Sequence, residues 1–301
     1  VPYLLGGTFD VSGIDRSGQF VNAIFESASG YSATGSTSLT DFEHPGRGMM
    51  MHRQITQWYG GMGMVVIAVA VLPFLGVGGM DLMSAEAPGP SGDRLTPRVS
   101  ETAKRLWFTY VLFTFGVSVT LIAIPGPSVY DAIAHGLTTI ATGGFSPHAD
   151  SIGTFDSGVV ELAIIVGMVL GGTNFALHWR AVTGDRLAYW RDPEFRTYFK
   201  LLIGASVLVI GLLWLDAGMG ISEASRVGVF NVVAIATSTG YGSAQGTGSS
   251  GDFALWVPAA QLVLLFLMVV GSSSGSTAGG LKVVRLQILL AHSIRSVRRS
   301  Q

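Results

Sequence analysis

The chain has 301 residues, of which 49% are hydrophobic and only 12% are charged, and its mean hydropathy is +0.49. Soluble domains carry about 25% charged residues, so this composition excludes an ordinary soluble domain and indicates a membrane protein. A net charge of −1 argues against nucleic acid as a partner, and the absence of cysteine excludes disulfides and thiolate metal sites.

Five uncharged segments predict helices that cross a membrane, because about 20 apolar residues span a hydrocarbon core. They are 54–80, 106–130, 162–179, the somewhat short 201–215, and 254–280. The opening residues 1–6 look like the end of a further helix. The sequence is therefore expected to be part of a longer protein.

Three shorter helical segments lie between the apolar segments, and each ends at a similar turn of glycine, small and hydroxyl residues. The short segments are 19–31, 129–140 and 221–236, and we expect Ser17, Ser128 and Ser222 to begin them. They are too short to cross a bilayer, which predicts re-entrant helices. Because non-helical backbone at membrane depth must line a cavity or be buried, the repeated turns predict one shared cavity.

The turns have the composition of a cation site built from main-chain oxygens. Glycine permits backbone angles that aim consecutive carbonyl groups the same way, and such carbonyls replace the hydration shell of an ion in selective pores. Each short helix also directs its C-terminal end, which carries about half a negative charge, at its turn. An enzyme embedded in a membrane would need paired acids or histidines in its spans, and the apolar segments contain none. The sequence predicts a pore rather than an enzyme.

The basic residues predict the orientation, because cytoplasmic loops are rich in Lys and Arg. If each unit runs span, short helix with turn, span, the linkers between units share one side of the membrane. Fourteen of the 18 Lys and Arg residues lie in or next to those linkers or in the C-terminal part from Lys282 onward, and the other four are Arg16, Arg47, Arg53 and Arg226. The linkers are therefore predicted to be cytoplasmic, and the turns to open outward.

This pattern divides the chain into three repeats. The repeats are 1–80, 106–180 and 199–292. Cytoplasmic linkers at 81–105 and 181–198 separate them, and a basic tail at 293–301 follows the third. The last apolar segment contains the glycine and serine run 271–280, which cannot hold a stiff helix. From spacing alone the run is either a flexible gate below the turns or a helix-packing face with the Gly-x-x-x-Gly spacing of Gly275 and Gly279.

Four ionisable residues near the short helices have structural interpretations that we favour over ion binding. His135 is expected to be a hydrogen-bonded residue inside its helix. Glu26 and Asp131 are expected to cap helices or form salt bridges. His178, beside Arg180 at the end of a span, is expected to be an anchor at the membrane interface.

The sequence resembles the Trk/Ktr/HKT superfamily of potassium transporters, and most of all its bacterial Trk-type uptake subunit. The resemblance covers nearly the whole chain, including the turn Ser-Gly-Tyr-Ser-Ala-Thr-Gly at 29–35, and further motifs at 57–63, 72–80, 141–146, 189–196 and 275–282. It implies an all-α membrane protein in which repeated units of span, re-entrant pore helix and span surround a pseudo-four-fold pore. It also implies a fourth unit after Gln301, so that this stretch alone does not close the pore.

The resemblance assigns a role to each turn. Filter carbonyls that bind potassium would come from Ser32, Ala33, Thr34 and Gly35, from Ala141, Thr142, Gly143 and Gly144, and from Thr237, Ser238, Thr239 and Gly240. The gate would be Gly271, Ser272, Ser273, Ser274, Gly275, Ser276, Thr277, Ala278, Gly279 and Gly280. The implied partners are membrane lipid, a second copy in a homodimer in the cell (inner) membrane, and a cytosolic nucleotide-binding regulatory ring. No organic cofactor is implied on this chain.

The predicted function is channel-like potassium uptake, and two alternatives remain. A sodium-selective or mixed monovalent cation channel is one, because serine at the first filter position signals sodium preference in plant relatives. Depending on register that position is Ser32 or Gly35, and Gly35 favours potassium. The other alternative is a structural membrane subunit that does not conduct.

Overall fold

A computed structural model describes residues 2–10, 13–71 and 95–300. In that part of the chain the structure is helical, and its one extended pairing is an isolated bridge between Val270 and Leu281. The predicted all-α fold is confirmed. Residues 72–94, which include the end of the predicted first span and most of the first linker, lie outside the described residues.

The helices of the described residues are numbered here in chain order. They are α1 (Pro2–Leu5), α2 (Arg16–Tyr31), α3 (Gly46–Val71), α4 (Leu95–Ala123), α5 (Val129–Ile140), α6 (Gly158–Gly171), α7 (Phe175–Val182), α8 (Ala188–Arg191), α9 (Pro193–Leu215), α10 (Ile221–Ala236), α11 (Pro258–Val269) and α12 (Val283–Ser300). Single 3₁₀ turns at Ser151–Phe155 and Phe253–Leu255 precede α6 and α11.

The short helices agree closely with the sequence. Helices α5 and α10 have the predicted bounds, and α2 begins three residues earlier than expected. Ser128 caps α5 as predicted, in a capping box with Asp131. The other two predicted caps are wrong, because Asp15 accepts the Gly18 N–H at the start of α2 and no side chain caps α10, which follows Gly220.

Two of the predicted spans are interrupted. Segment 162–179 is not one helix, because α6 and α7 meet at a bend of 102° where the Asn174 side chain caps α7. Segment 254–280 is helical only as far as Val269. By length and composition, two helices of the described residues can cross a membrane, at Glu101–Ala123 and Pro193–Leu215, or three if the bent pair counts as one span. Helix α4 begins at Leu95, inside the segment expected to be a linker.

The second and third short helices each pack between the long helices of their own repeat and a long helix of the preceding repeat. Helix α5 contacts α3, α4 and α6, and α10 contacts α6, α9 and α11. Apolar side chains bury these contacts in two clusters, one around Tyr110 and Ile164 and one around Val209 and Leu264. The opposite faces of the long helices expose large apolar side chains such as Phe115, which suits contact with lipid rather than water.

Candidate functional site

The three turns after α2, α5 and α10, which we call the filter turns, have the same unusual backbone. The second residue of each is left-handed, with φ angles of 52°, 50° and 54° at Ala33, Thr142 and Ser238. The fourth is a glycine with positive φ, at 83°, 79° and 76° in Gly35, Gly144 and Gly240. A left-handed residue other than glycine costs about 1–2 kcal/mol. Its recurrence at three equivalent positions identifies the turns as copies of one structure.

Each filter turn ends its helix with the same three hydrogen bonds. In the third turn the N–H groups of Thr237, Ser238 and Thr239 donate to carbonyl oxygens in the last two turns of α10, and each N···O distance is 2.9 Å. The first and second turns repeat this pattern with distances of 2.9 to 3.3 Å. This is the Schellman arrangement that closes a helix. Because it engages the N–H groups of the turn, the carbonyl groups remain available for other partners.

The filter turns lie against one another in chain order. A Cβ atom placed on Gly35 would lie 2.1 Å from the carbonyl oxygen of Gly143, and one on Gly144 would lie 1.9 Å from that of Thr239. No atom of the described residues lies within 4 Å of the same point on Gly240. The step from the first turn to the second is thus repeated from the second to the third. A repeated step of this kind is what rotation about a common axis produces.

The structure therefore brings the three predicted turns into contact and shows which of their residues are equivalent. Gly35 is equivalent to Gly144 and Gly240, whereas Ser32 is equivalent to Ala141 and Thr237, which end their helices. The second turn, which has a neighbour on each side, is the most buried, and Ser32 and Thr34 of the first turn are exposed.

The segment 271–280 lies directly against the second and third filter turns. The Gly279 N–H donates to the Ser238 side-chain oxygen at 2.6 Å, and the Thr277 hydroxyl donates to the Ile140 carbonyl at 2.9 Å. The Ser272 hydroxyl donates to the Ala236 carbonyl at 3.1 Å. Ile140 and Ala236 are the last residues of α5 and α10, so this segment touches the points at which two filter turns begin.

The segment is not helical, so its glycines do not form the helix-packing face that their spacing allowed. Gly275 has a φ of 69°, and the backbone instead bonds to the bend between α6 and α7. The Ser273 N–H donates to the Gly172 carbonyl at 3.1 Å, and the Thr277 N–H to that of Gly171 at 3.2 Å. The interpretation as a helical Gly-x-x-x-Gly face is wrong, because bonds to another repeat replace the helical ones.

Glu194 holds the other side of this segment, a role that the sequence did not indicate. Its carboxylate, at the start of α9, accepts the Ser274 N–H at 2.6 Å and the Ser274 hydroxyl at 2.7 Å. It also accepts the Val284 N–H at 3.3 Å. Glu194 is almost fully buried, so these donors take the place of water at its carboxylate oxygens.

A buried ion pair joins the first filter turn to the second. The Arg53 Nε of α3 lies 3.0 Å from the Glu26 carboxylate of α2, and both side chains are buried. The Arg53 guanidinium also donates to the Ser146 carbonyl at 3.3 Å and to the Thr37 hydroxyl at 3.0 Å. Its carbon Cζ lies 4.0 Å from the centre of the Phe145 ring. The chain leaving each of the two turns is thus attached to one side chain.

Three of the four expectations for ionisable residues are confirmed. Glu26 forms the salt bridge just described, and Asp131 completes the capping box and pairs with His148 at 2.8 Å. His135 is buried with its ring nitrogens bonded to the Asp131 carbonyl and the Ser146 hydroxyl. The expectation for His178 is wrong. It is fully buried between the Leu170 carbonyl at 2.9 Å and the Tyr189 hydroxyl at 2.8 Å, so it is not an interfacial anchor.

Arg226 of α10 links the second and third repeats on the side from which the short helices start. Its guanidinium lies 2.9 Å from Glu161 and 3.0 Å from Asp156. The hydrogen bond from Arg226 is the main cause that lowers the pKa of Asp156, which is exposed in the loop before α6. Arg226 therefore favours the charged form of Asp156.

An all-α fold with lipid-suited outer faces, in which short helices end at equivalent glycine turns, defines a helical membrane protein built from repeated units. The family model described as "TrkH: Cation transport protein" matches residues 8–301. The chain belongs to this TrkH family of cation transport proteins. The predicted superfamily and the fold of repeated units are thereby confirmed.

The comparison with individual proteins agrees. The chain is 40% identical over 301 residues to "Trk system potassium uptake protein TrkH" of Halomonas elongata, covering 99% of this chain and 59% of the relative. It is 40% identical to the Escherichia coli K12 protein of the same description, covering 92% and 56%. The crystal structure of the potassium transporter TrkH from Vibrio parahaemolyticus matches with a TM-score of 0.81 and 34% identity, covering 92% of this chain and 55% of that one. The chain spans a little over half the length of these relatives.

Proposed function

We propose that this chain takes part in potassium uptake across the cell membrane, by a channel-like mechanism in which the filter turns form the selectivity filter. One observation carries the proposal: the contact of Gly35 with the Gly143 carbonyl is repeated by Gly144 with the Thr239 carbonyl. Equivalent turns that follow one another about an axis place their carbonyl oxygens around a common centre. The printed descriptions of the relatives as potassium uptake proteins supply the cargo.

In this proposal the potassium ion is bound by main-chain oxygens, and no covalent step is needed to move it. Carbonyl oxygens of residues 32–35, 141–144 and 237–240 replace the water that potassium loses on entry. Helices α2, α5 and α10 end at these oxygens, and each C-terminus carries about half a negative charge. The membrane potential supplies about 2.3 kcal/mol per charge for every 100 mV, which drives accumulation. The register that makes Gly35 the equivalent of Gly144 and Gly240 supports potassium over sodium.

The segment 271–280 is the gate in this proposal. It lies against the ends of two pore helices and donates to Ser238 within the third filter turn, so a displacement of the segment changes access to the turns. Hydrogen bonds to neighbouring loops, helix ends and side chains hold it, rather than the bonds of a helix, which suits a part that moves. Glu194 accepts two of those bonds, both from Ser274.

The setting follows from the family resemblance. The chain lies in the cell (inner) membrane as a multi-pass protein surrounded by lipid, with the linkers in the cytoplasm. It acts within a homodimer that a cytosolic nucleotide-binding ring controls. Potassium is its only ligand, and no organic cofactor is used.

Uptake of potassium, rubidium and sodium by cells that lack their own potassium uptake systems tests the proposal, with the intact native protein expressed in them. Potassium or rubidium uptake supports it, preferential sodium uptake favours the sodium channel, and no uptake of any ion favours a structural subunit. Gly240→Ser should weaken ion discrimination. Gly246→Ser is the matched control, because Gly246 has a φ of 77° and equally open space but lies outside the filter turns.

A further inference from the structure

The side-chain amide of Gln57 clamps the second filter turn. Gln57 lies on α3 and is fully buried. Its Nε2 donates to the Gly143 carbonyl oxygen at 2.6 Å, and its Oε1 accepts the Phe145 N–H at 3.0 Å. Both ends of the amide are therefore used on one turn, 86 and 88 positions away in the chain.

Helix α3 is in close contact with the filter turns on both sides of Gln57. A Cβ on Gly143 would lie 2.4 Å from the Gln57 Oε1. One on Gly61 would lie 2.8 Å from the Ala141 Cα, and one on Gly60 would lie 2.4 Å from the Tyr31 carbonyl oxygen. Helix α3 therefore touches the end of α2 and the start of the second turn, and Gln57 lies between the first two turns.

The second repeat lacks an equivalent clamp on the third turn. Gly171 of α6 lies against the Ile140 carbonyl at the end of α5, as Gly60 lies against Tyr31 at the end of α2. The residue three positions before Gly60 is Gln57, and the residue three positions before Gly171 is Met168. A thioether cannot donate a hydrogen bond. The carbonyl of Thr239, which is equivalent to that of Gly143, has no glutamine opposite it.

We infer that Gln57 is a positioning residue that sets ion preference by fixing the Gly143 carbonyl, an inference that rests on the proposed function. In the proposed filter that oxygen is one of the carbonyls around the ion, and it already accepts a hydrogen bond of 2.6 Å from Gln57. The Gly143 oxygen cannot move towards a smaller cation without losing the bond from Gln57. An oxygen that accepts a hydrogen bond also attracts a cation less strongly. Both effects act against sodium, because a smaller ion needs shorter contacts and a stronger field.

The test compares Gln57→Met with Gln54→Met in the intact native protein. Gln54 lies one turn earlier on α3 and is equally buried, and neither of its amide atoms has a partner among the described residues. Uptake of potassium with sodium as competitor is measured for both variants, together with the KM for potassium and the amount of protein in the membrane. Gln57→Met should lower the preference for potassium over sodium by about fivefold to tenfold and raise the KM. Gln54→Met should keep the preference of the unmodified protein.

An unchanged preference in Gln57→Met, or an equal loss in both variants, would overturn the inference. If Gln57→Met does not reach the membrane, Gln57→Asn decides, because it keeps the amide but is too short to reach both Gly143 and Phe145. Reduced potassium preference in that variant supports the clamp, and unchanged preference overturns it. Absence of potassium uptake by the unmodified protein would remove the proposed function and this inference together, whereas normal uptake with unchanged preference removes the inference alone.

Discussion

The backbone N–H of Gly279 donates to the side-chain oxygen of Ser238 at 2.6 Å, which joins the irregular segment 271–280 to the left-handed residue of the third filter turn. The two residues are 41 positions apart, and neither belongs to a helix. A movement of the segment that breaks this bond removes a partner from Ser238, the residue of the third filter turn whose left-handed backbone is already unfavourable. The state of the segment and the shape of the turn are therefore coupled.

Ser238→Ala tests that coupling. Alanine fits this position, because Ala33 has a φ of 52° at the equivalent place in the first turn. The substitution removes the acceptor of the Gly279 N–H and should favour the displaced segment by about 1 kcal/mol, or roughly a fivefold rise in basal potassium uptake. Ser225→Ala is the control, since Ser225 is half-buried on α10 and its hydroxyl donates to the Ile221 carbonyl of its own helix. Unchanged basal uptake in Ser238→Ala would contradict the coupling.

Glu194→Gln should loosen the same segment from its other side. The variant keeps the size of the side chain but replaces one acceptor oxygen with an amide and removes the charge that strengthens the bonds from Ser274. We expect higher basal uptake and faster hydrogen exchange at 272–277, with the exchange of α5 unchanged. Glu223→Gln, on the exposed side of α10, serves as the comparison and should alter neither measurement. Exchange at 272–277 that stays as slow as in the unmodified protein would show that Glu194 does not hold the segment.

The short helices and the filter turns could be predicted from the sequence, because local residue patterns determine them. The contacts between repeats could not be predicted in this way. Ser128 and Asp131 are three residues apart and form a capping box that the sequence itself signals. The bend of 102° after α6 depends on bonds from 273 and 277 to 171–172, which no local pattern announces. The prediction for His178 was wrong because no local pattern indicates its partners. The Leu170 carbonyl lies eight residues before it and the Tyr189 hydroxyl eleven residues after it.

Gln57 and Arg53 show what signal was present. Both are polar residues in or beside an apolar segment, and such residues in a membrane helix face protein and find partners. That reasoning predicts a buried polar contact for each. It does not identify the Gly143 and Ser146 carbonyls as the partners, because the separations of 86 and 93 residues are set by the packing of one repeat against the next.

Gly144→Ala should abolish uptake through a clash that Gly246→Ala does not create. A methyl group on Gly144 would lie 1.9 Å from the Thr239 carbonyl oxygen, so the second and third filter turns must separate. Gly246 has nearly the same φ, at 77° against 79°, but no described atom within 4 Å of its Cβ position. Both variants bear the same backbone strain, so only the first should lose transport. Equal uptake by the two variants, at equal amounts in the membrane, would mean that the contact between turns is dispensable.

Removing one partner of the buried pair Arg53–Glu26 should destabilise the protein more than removing both. Arg53→Met leaves the Glu26 carboxylate buried without its cation, which typically costs about 3–5 kcal/mol, and Glu26→Gln leaves the guanidinium without its anion. The double variant Arg53→Met with Glu26→Gln leaves no unpaired charge and should recover part of the loss. Thermal unfolding of the purified protein in detergent measures all three variants.

The double variant should still unfold at a lower midpoint temperature than the unmodified protein, because Arg53 also bonds to the Ser146 and Thr37 oxygens. Losses that simply add in the double variant would show that the two charges do not stabilise each other, and that Arg53 acts through Ser146 and Thr37 alone.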